Sequence, residues 1–243
     1  MRRIRTFAKR NALEIVRDPL TIIFGAGLPV GLLFLLSAIQ SNVPVPLFEI
    51  DSLTPGVCMF SLSFVTLFSA MLISKDRNGM LLNRLYTTPL TARDFILGYT
   101  LPLLPLGVLQ TLVCAVAAVM LGLKVTMGLV YMVVCALPGI VFYVSLGLLF
   151  GSILTDKQVG GVCGALLTNV SAWLSGIWFD VELVGGAFSK IANVLPFIHT
   201  VEAERCALAC DFAGVLNHIW VVFVYAILAF LAAVYCFLRQ MRK

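Results

Sequence analysis

Charge is sparse in this chain. Asp, Glu, Lys and Arg make up 12% of its 243 residues and hydrophobic residues 60%, against about 25% charged in an ordinary soluble domain. The charges fall in clusters, and the apolar runs between them are long enough to cross about 30 Å of hydrocarbon as helix, which takes about 20 residues. A soluble fold is thereby excluded. The ten-residue alternation of a closed membrane barrel is missing too, so the spans read as helices. Within the runs there is no Asp, Glu, Lys or Arg; each would cost roughly 2.5–3.5 kcal/mol at a helix centre and would mark an ion or proton path. Proton- or sodium-coupled transport is disfavoured on that ground. Two matching halves with broken helices, the sign of many secondary transporters, are also not visible.

Catalytic signatures are lacking as well. The chain has no G-x-S-x-G elbow, no H-E-x-x-H pair and no G-x-x-x-x-G-K-[ST] phosphate loop. It therefore reads as no enzyme by itself, and any ATP that drives it binds another subunit. A membrane enzyme or a scaffold without transport would be the other class, but no polar groups gather at one membrane depth. There are two histidines: His199 is too isolated for a zinc site, and His218, near the outer end of the last apolar run, reads as an interfacial residue rather than a proton relay. Of the seven cysteines, Cys58, Cys114, Cys135, Cys163 and Cys236 lie in apolar runs, where Cys acts as a small hydrophobe. Cys206 and Cys210 sit one helical turn apart in a polar segment, where a strained disulfide stays open.

The sequence predicts an all-α, polytopic membrane protein with a single transmembrane domain over 1–243. Residues 1–18 put Arg2, Arg3, Arg5, Lys9, Arg10 and Arg17 beside Ile4, Phe7, Ala8, Ala12, Ile15 and Val16 at helical spacing. That is a basic amphipathic helix on a membrane surface, and the full-length run that follows argues against a cleaved signal peptide. Six spans follow at about 20–39, 54–73, 95–123, 127–154, 159–179 and 215–238. Gly27 with Gly31, and Gly147 with Gly151, form G-x-x-x-G pairs suited to helix packing. Gly160, Gly161 and Gly164 open the fifth span, which goes on through Thr168, Asn169, Ser171, Trp173 and Ser175; these polar groups suit either interhelical hydrogen bonding or the wall of a wet path. Residues 180–213 are too polar to span and too apolar for a free loop, which predicts an outer cap of short helices. With both ends inside, only Lys124, Lys190 and Arg205 of the 17 Lys and Arg lie outside, a strong positive-inside bias.

The segment 74–94, SKDRNGMLLNRLYTTPLTARD, is the polar centre of the chain. Gly79 opens a turn, MLLNRLY makes about two helical turns, and Pro89 ends them. Asp76, Arg77, Asn78 and Gly79, then Arg84 and Leu85, then Thr88, Pro89 and Leu90, followed by Leu97 and Gly98, resemble the cytosolic loop of type-2 ABC exporter permeases. Pro196 to Arg205, PFIHTVEAER, resembles the family's Pro-to-Glu-Ala-x-Arg stretch. The likeness extends over nearly the whole chain. It departs where the family often has Thr-Leu-Glu after the loop glycine: here Met80, Leu81, Leu82 and Asn83 follow Gly79, so a particular salt bridge across the subunit interface is not implied.

The resemblance implies a fold of six transmembrane helices with an N-terminal amphipathic connecting helix, a cytosolic coupling helix and an outer re-entrant helical element. It implies a permease that pairs with a second permease subunit, as homodimer or heterodimer, and with separate ATP-binding cassette ATPase subunits holding ATP and Mg, in the cell membrane. The coupling residues would be Arg77, Gly79, Leu82, Arg84, Leu85 and Pro89. The path would be lined from the second and fifth spans by Phe60, Ser63, Thr66, Phe68, Asn169 and Trp173. With no charge in the spans, the expected cargo is an apolar or amphipathic drug, lipid or peptide. Polysaccharide is the alternative, since Phe60, Phe68, Trp173 and Trp178 suit sugar rings; membrane lipid is a further partner, and nucleic acid is not.

Overall fold

A computed structural model describes residues 2–44, 48–79, 91–179 and 181–241, and among them every regular element is helical. Helix α1, Arg2–Arg17, lays Phe7 and Ile15 against the bundle and leaves Leu13 and Val16 exposed. Asp18 then caps the next helix: its carboxylate accepts from Leu20 N–H, and Pro19 takes the first turn, where no amide partner is needed. Helix α2, Pro19–Gln40, runs from there with a π-helical turn over Ile23–Gly27. Helix α3 is Ile50–Asn78, α4 Ala92–Met120 and α5 Met127–Ile153. Helix α6 occupies residues 156–174 in three pieces, of which Gly160–Leu167 is π-helical. The short helices α7, Val181–Val184, α8, Gly186–Val194, and α9, Pro196–Leu208, lead to α10, Phe212–Met241.

Burial ranks the helices. The most apolar window of α3 is 83% buried and that of α2 22%, so α3 is the axis and α2 a peripheral helix. Against α3 lies α5, at very short range: a Cβ on Gly147 would stand 2.3 Å from the Ser69 Cβ, and one on Gly151 2.9 Å from the Ala70 carbonyl oxygen. Glycine is required at both places because the two backbones touch. The main core runs through Met59, Leu62, Tyr99, Leu103, Ile140 and Tyr143, on α3, α4 and α5, and takes in Phe197 and Val201 from α9.

Five helices, α2, α3, α4, α5 and α10, are long and apolar enough to cross a membrane among the described residues. The sixth predicted span, at 159–179, differs. Its helix begins at Asp156, spends a turn on Lys157 and Gln158, and stops at Leu174; Ser175 and Gly176 turn the chain, with Gly176 at φ +73°. The apolar helical stretch is shorter there than the composition suggested.

The predicted loop at 74–94 also starts later than expected. Helix α3 continues to Asn78, and Gly79 closes it, its N–H donating to the Lys75 carbonyl. Ser74 and Asp76 are consequently helical and buried rather than in water. Cys206 and Cys210 are both free thiols. Residues 80–90, with Leu82, Arg84, Leu85 and Pro89, lie outside the described residues.

Candidate functional site

Two ends of the bundle carry the polar chemistry, and the basic end is the more densely bonded. Asp76 is 4% exposed, which for a carboxylate demands partners. It has three bonds: Arg10 Nη1 donates to Oδ2 at 2.5 Å, Arg10 Nη2 to Oδ1 at 2.7 Å, and the Tyr99 hydroxyl to Oδ2 at 2.8 Å. The fork of the guanidinium matches the carboxylate in two parallel bonds, the strong form of this pair. The next residue of α1, Asn11, is fully buried and donates to the Gly98 carbonyl at 3.0 Å. Phe7, one turn earlier, meets Phe95 and Tyr99 edge-on at 5.6 and 5.0 Å between centroids. A Cβ on Gly98 would stand 2.2 Å from the Phe7 ring, so α1 lies directly on α4 there.

Arg77 faces the other way. Its guanidinium donates to the Ser152 and Leu154 carbonyls, which α5 leaves unpaired as it ends, and the Gln240 amide of α10 donates to Ser152 as well. Asp156, opening α6, is drawn to the same place. Burial raises its pKa, but the nearby polar groups of Ser74 and Asn78, with the charges of Lys75 and Arg77, outweigh that and hold the carboxyl below its ordinary value. On α4, Thr91 and Asp94 form a reciprocal capping box. The last turn of α3 thus ties α1 and α4 on one side to α5, α6 and α10 on the other.

The residues predicted for the path fall into a mostly buried group on α3 and an exposed pair on α6. Ser63, Thr66 and Phe68 are buried within α3 contacts: Ser63 Oγ donates to the Phe60 carbonyl at 2.6 Å and lies 3.3 Å from Thr168 Oγ1, and Thr66 Oγ1 donates to the Tyr143 carbonyl at 2.7 Å. Phe60 packs edge-on against Phe64 and Trp178. Asn169 and Trp173, one turn apart on α6, are instead on its exposed side, Trp173 at 53%. Of the glycines, Gly27, Gly31 and Gly160 have open space where a Cβ would be, and Gly164 has ordinary contact with Leu67.

Comparison with known proteins decides the family. Residues 2–208 match the model of the ABC-2 type transporter family. This chain is an ABC-2 type membrane subunit. The permease is 26% identical over 250 residues to nodulation protein J of Bradyrhizobium diazoefficiens, covering 98% of this chain and 90% of that protein. It is 24% identical over 238 residues to nodulation protein J of Rhizobium leguminosarum bv. viciae, covering 97% and 90%.

The opposite end of this ABC-2 permease holds groups that a reading of the sequence passes over. Glu204 of α9 is fully buried, and neither carboxylate oxygen has a hydrogen-bond partner. Burial pushes its pKa well above the ordinary carboxyl value, with the neighbouring Cys114 adding to it. Glu204 stands in the x position of the Glu-Ala-x-Arg stretch, so only its place on the buried side of α9, one turn after Val201, could have flagged it. His199 and His218 pair at 2.9 Å between Nδ1 atoms, and His199 Nε2 lies 2.9 Å from the Asn193 carbonyl. A carbonyl only accepts, so His199 Nε2 carries a hydrogen; in the neutral pair, His199 Nδ1 then accepts from His218 Nδ1–H. Protonating both rings removes that acceptor and breaks the bridge between α9 and α10.

Proposed function

We propose that this subunit is the permease of an ATP-driven exporter. Two permease subunits form the path, and two separate ATP-binding cassette ATPase subunits, which hold ATP and Mg, drive it. The observation that carries the reading is the bonding around Asp76 and Arg77: a push on α1 or on the segment after Gly79 is handed directly to α4, α5 and α10. In this reading the basic end is cytosolic, α1 is the connecting helix, and residues 80–90 make the coupling contact, with Arg84, Leu85 and Pro89 in it. Arg77 and Gly79 shape its root rather than meeting the ATPase. Helix α6 is the sixth span. Its exposed Asn169 and Trp173, with the open glycines of α2, form the side toward the second permease subunit and the path.

The cargo is apolar or amphipathic, because the spans offer it no compensating charge. Polysaccharide is the second reading, favoured by the half-buried Phe60 and Trp178 rings, which pack edge-on with centroids 6.4 Å apart and leave part of each ring surface for a sugar. Isolation from the native membrane in mild detergent, with mass spectrometry of what accompanies the chain, tests the assembly. An ATPase subunit in about equal amount, with ATP hydrolysis by the assembly, is expected. Recovery of the chain alone, or with non-ATPase partners only, would overturn the reading.

A further inference from the structure

From Phe95 to Thr155, through the whole of α5 and nearly all of α4, the chain carries one charged side chain, Lys124. It is exposed in the turn between the two helices, residues 121–126, and has no ion pair among the described residues. That turn belongs to the cap end: a Cβ on Gly128, just after it, would stand 2.1 Å from the Leu208 carbonyl oxygen at the end of α9.

Next to the turn, α4 presents a ridge between two grooves. Leu109, Leu112, Val116 and Met120 are exposed and recur every three or four residues, so they form one stripe of the helix. On one side the stripe and α5 border a groove of about 390 Å³, with the buried Ala115 in its lining and Val130 and Val134 opposite. On the other side the stripe and α2 border a groove of about 340 Å³, with the buried Ala117 in its lining and Val30 and Phe34 opposite. The small alanines beside the larger ridge residues make the two hollows, and every side chain that lines them is apolar. From Leu109 to Met120 the ridge rises about 17 Å as α-helix. That is close to one leaflet of a hydrocarbon core about 30 Å thick.

A matching molecule has two apolar chains one leaflet long, joined at a head that carries negative charge. We propose that the cap-end half of α4 is a binding site for one anionic diacyl phospholipid, with an acyl chain in each groove and the phosphate at Lys124. A second copy of this chain, packed on the same face about a two-fold axis, would instead bring two Lys124 side chains to the same depth. Only the leaflet rests on the exporter reading, which makes it the outer one.

The test is native mass spectrometry of the purified full chain in detergent micelles, titrated with phosphatidylglycerol and, separately, with diacylglycerol of the same chains. Saturable binding of one phosphatidylglycerol is expected, about fivefold tighter than diacylglycerol, with that gap lost in Lys124→Gln and kept in Lys124→Arg. Val134→Trp, which fills the α4–α5 groove from an exposed position, should weaken both lipids, whereas Leu231→Trp, exposed to a similar degree on α10, should weaken neither. No saturable binding, equal affinity for the two lipids, a gap that Lys124→Gln leaves intact, or the same loss from Leu231→Trp as from Val134→Trp would overturn the proposal. So would phospholipid that is bound to single chains and absent from dimers, which would give the face to a second copy. The binding is read without any ATPase, so it can fail while the exporter reading stands, and the reverse.

Discussion

The two ends of the bundle handle buried charge in opposite ways. At the basic end, Asp76 has three hydrogen bonds, and Arg77 meets the carbonyls at the end of α5. At the cap end, Glu204 is equally buried with none, and the two histidines share a bond that a second proton breaks. A satisfied polar network fixes one arrangement, whereas an unsatisfied acid favours any arrangement that gives it water. The basic end is therefore built to move as a block, and the cap end to change.

The comparison is broken most severely at Asp76. Asp76→Asn keeps the size but takes from Arg10 the buried one of its two carboxylates, leaving only Glu14 at 2.5 Å, and a loss of about 1.5–3 kcal/mol in stability is expected, the value of hydrogen bonds to charged groups. Thermal unfolding in nanodiscs would register it; an unchanged midpoint would mean that the pair contributes little. A smaller effect, about 1–3 kcal/mol, is expected from Gly98→Ala, whose Cβ would meet the Phe7 ring and lift α1 off α4. Its signature is greater protease access to α1, with cleavage elsewhere unchanged.

Glu204 sharpens the contrast through pH. Its folded pKa is raised above the ordinary 4.5, so the folded state binds more protons than the unfolded one above that value. Stability from the protonated form is fully present below about pH 4.5 and declines as pH rises toward the folded pKa, by up to about 1.4 kcal/mol per pH unit. Glu204→Gln should flatten this decline and be the more stable form at pH 8. Parallel curves for the two proteins would show that Glu204 does not titrate with folding.

The long helices were legible because apolar length alone announces them: the runs holding Leu33, Leu103, Ile140 and Val222 could be nothing else. Helix α9 was less so. PFIHTVEAER is too polar to span, yet its Phe197, Val201 and Ala207 side enters the core beside α3, α5 and α10, where Glu204 lies on the same side. Asp76 looked like a loop residue because its partner Arg10 is 66 positions away, and no local pattern shows such a pairing. The histidines illustrate the same limit. Each looked isolated in the sequence, and only the packing of α9 on α10 brings them to 2.9 Å. The expected coupling contact was legible chiefly as a family resemblance, carried by Arg84, Leu85 and Pro89, which lie outside the described residues.

The most direct test of the basic end as a moving block is a cross-link across the α1–α4 contact. In a background whose accessible native cysteines are replaced, Phe7→Cys and Gly98→Cys would be oxidised to a disulfide, and ATP hydrolysis measured before and after in the assembly with an ATPase subunit that the exporter proposal calls for. The account predicts that hydrolysis is retained, since α1 and α4 move together and the bond adds no new constraint. Activity that disappears on oxidation and returns with a reductant would show that α1 slides on α4 during turnover, and would contradict it.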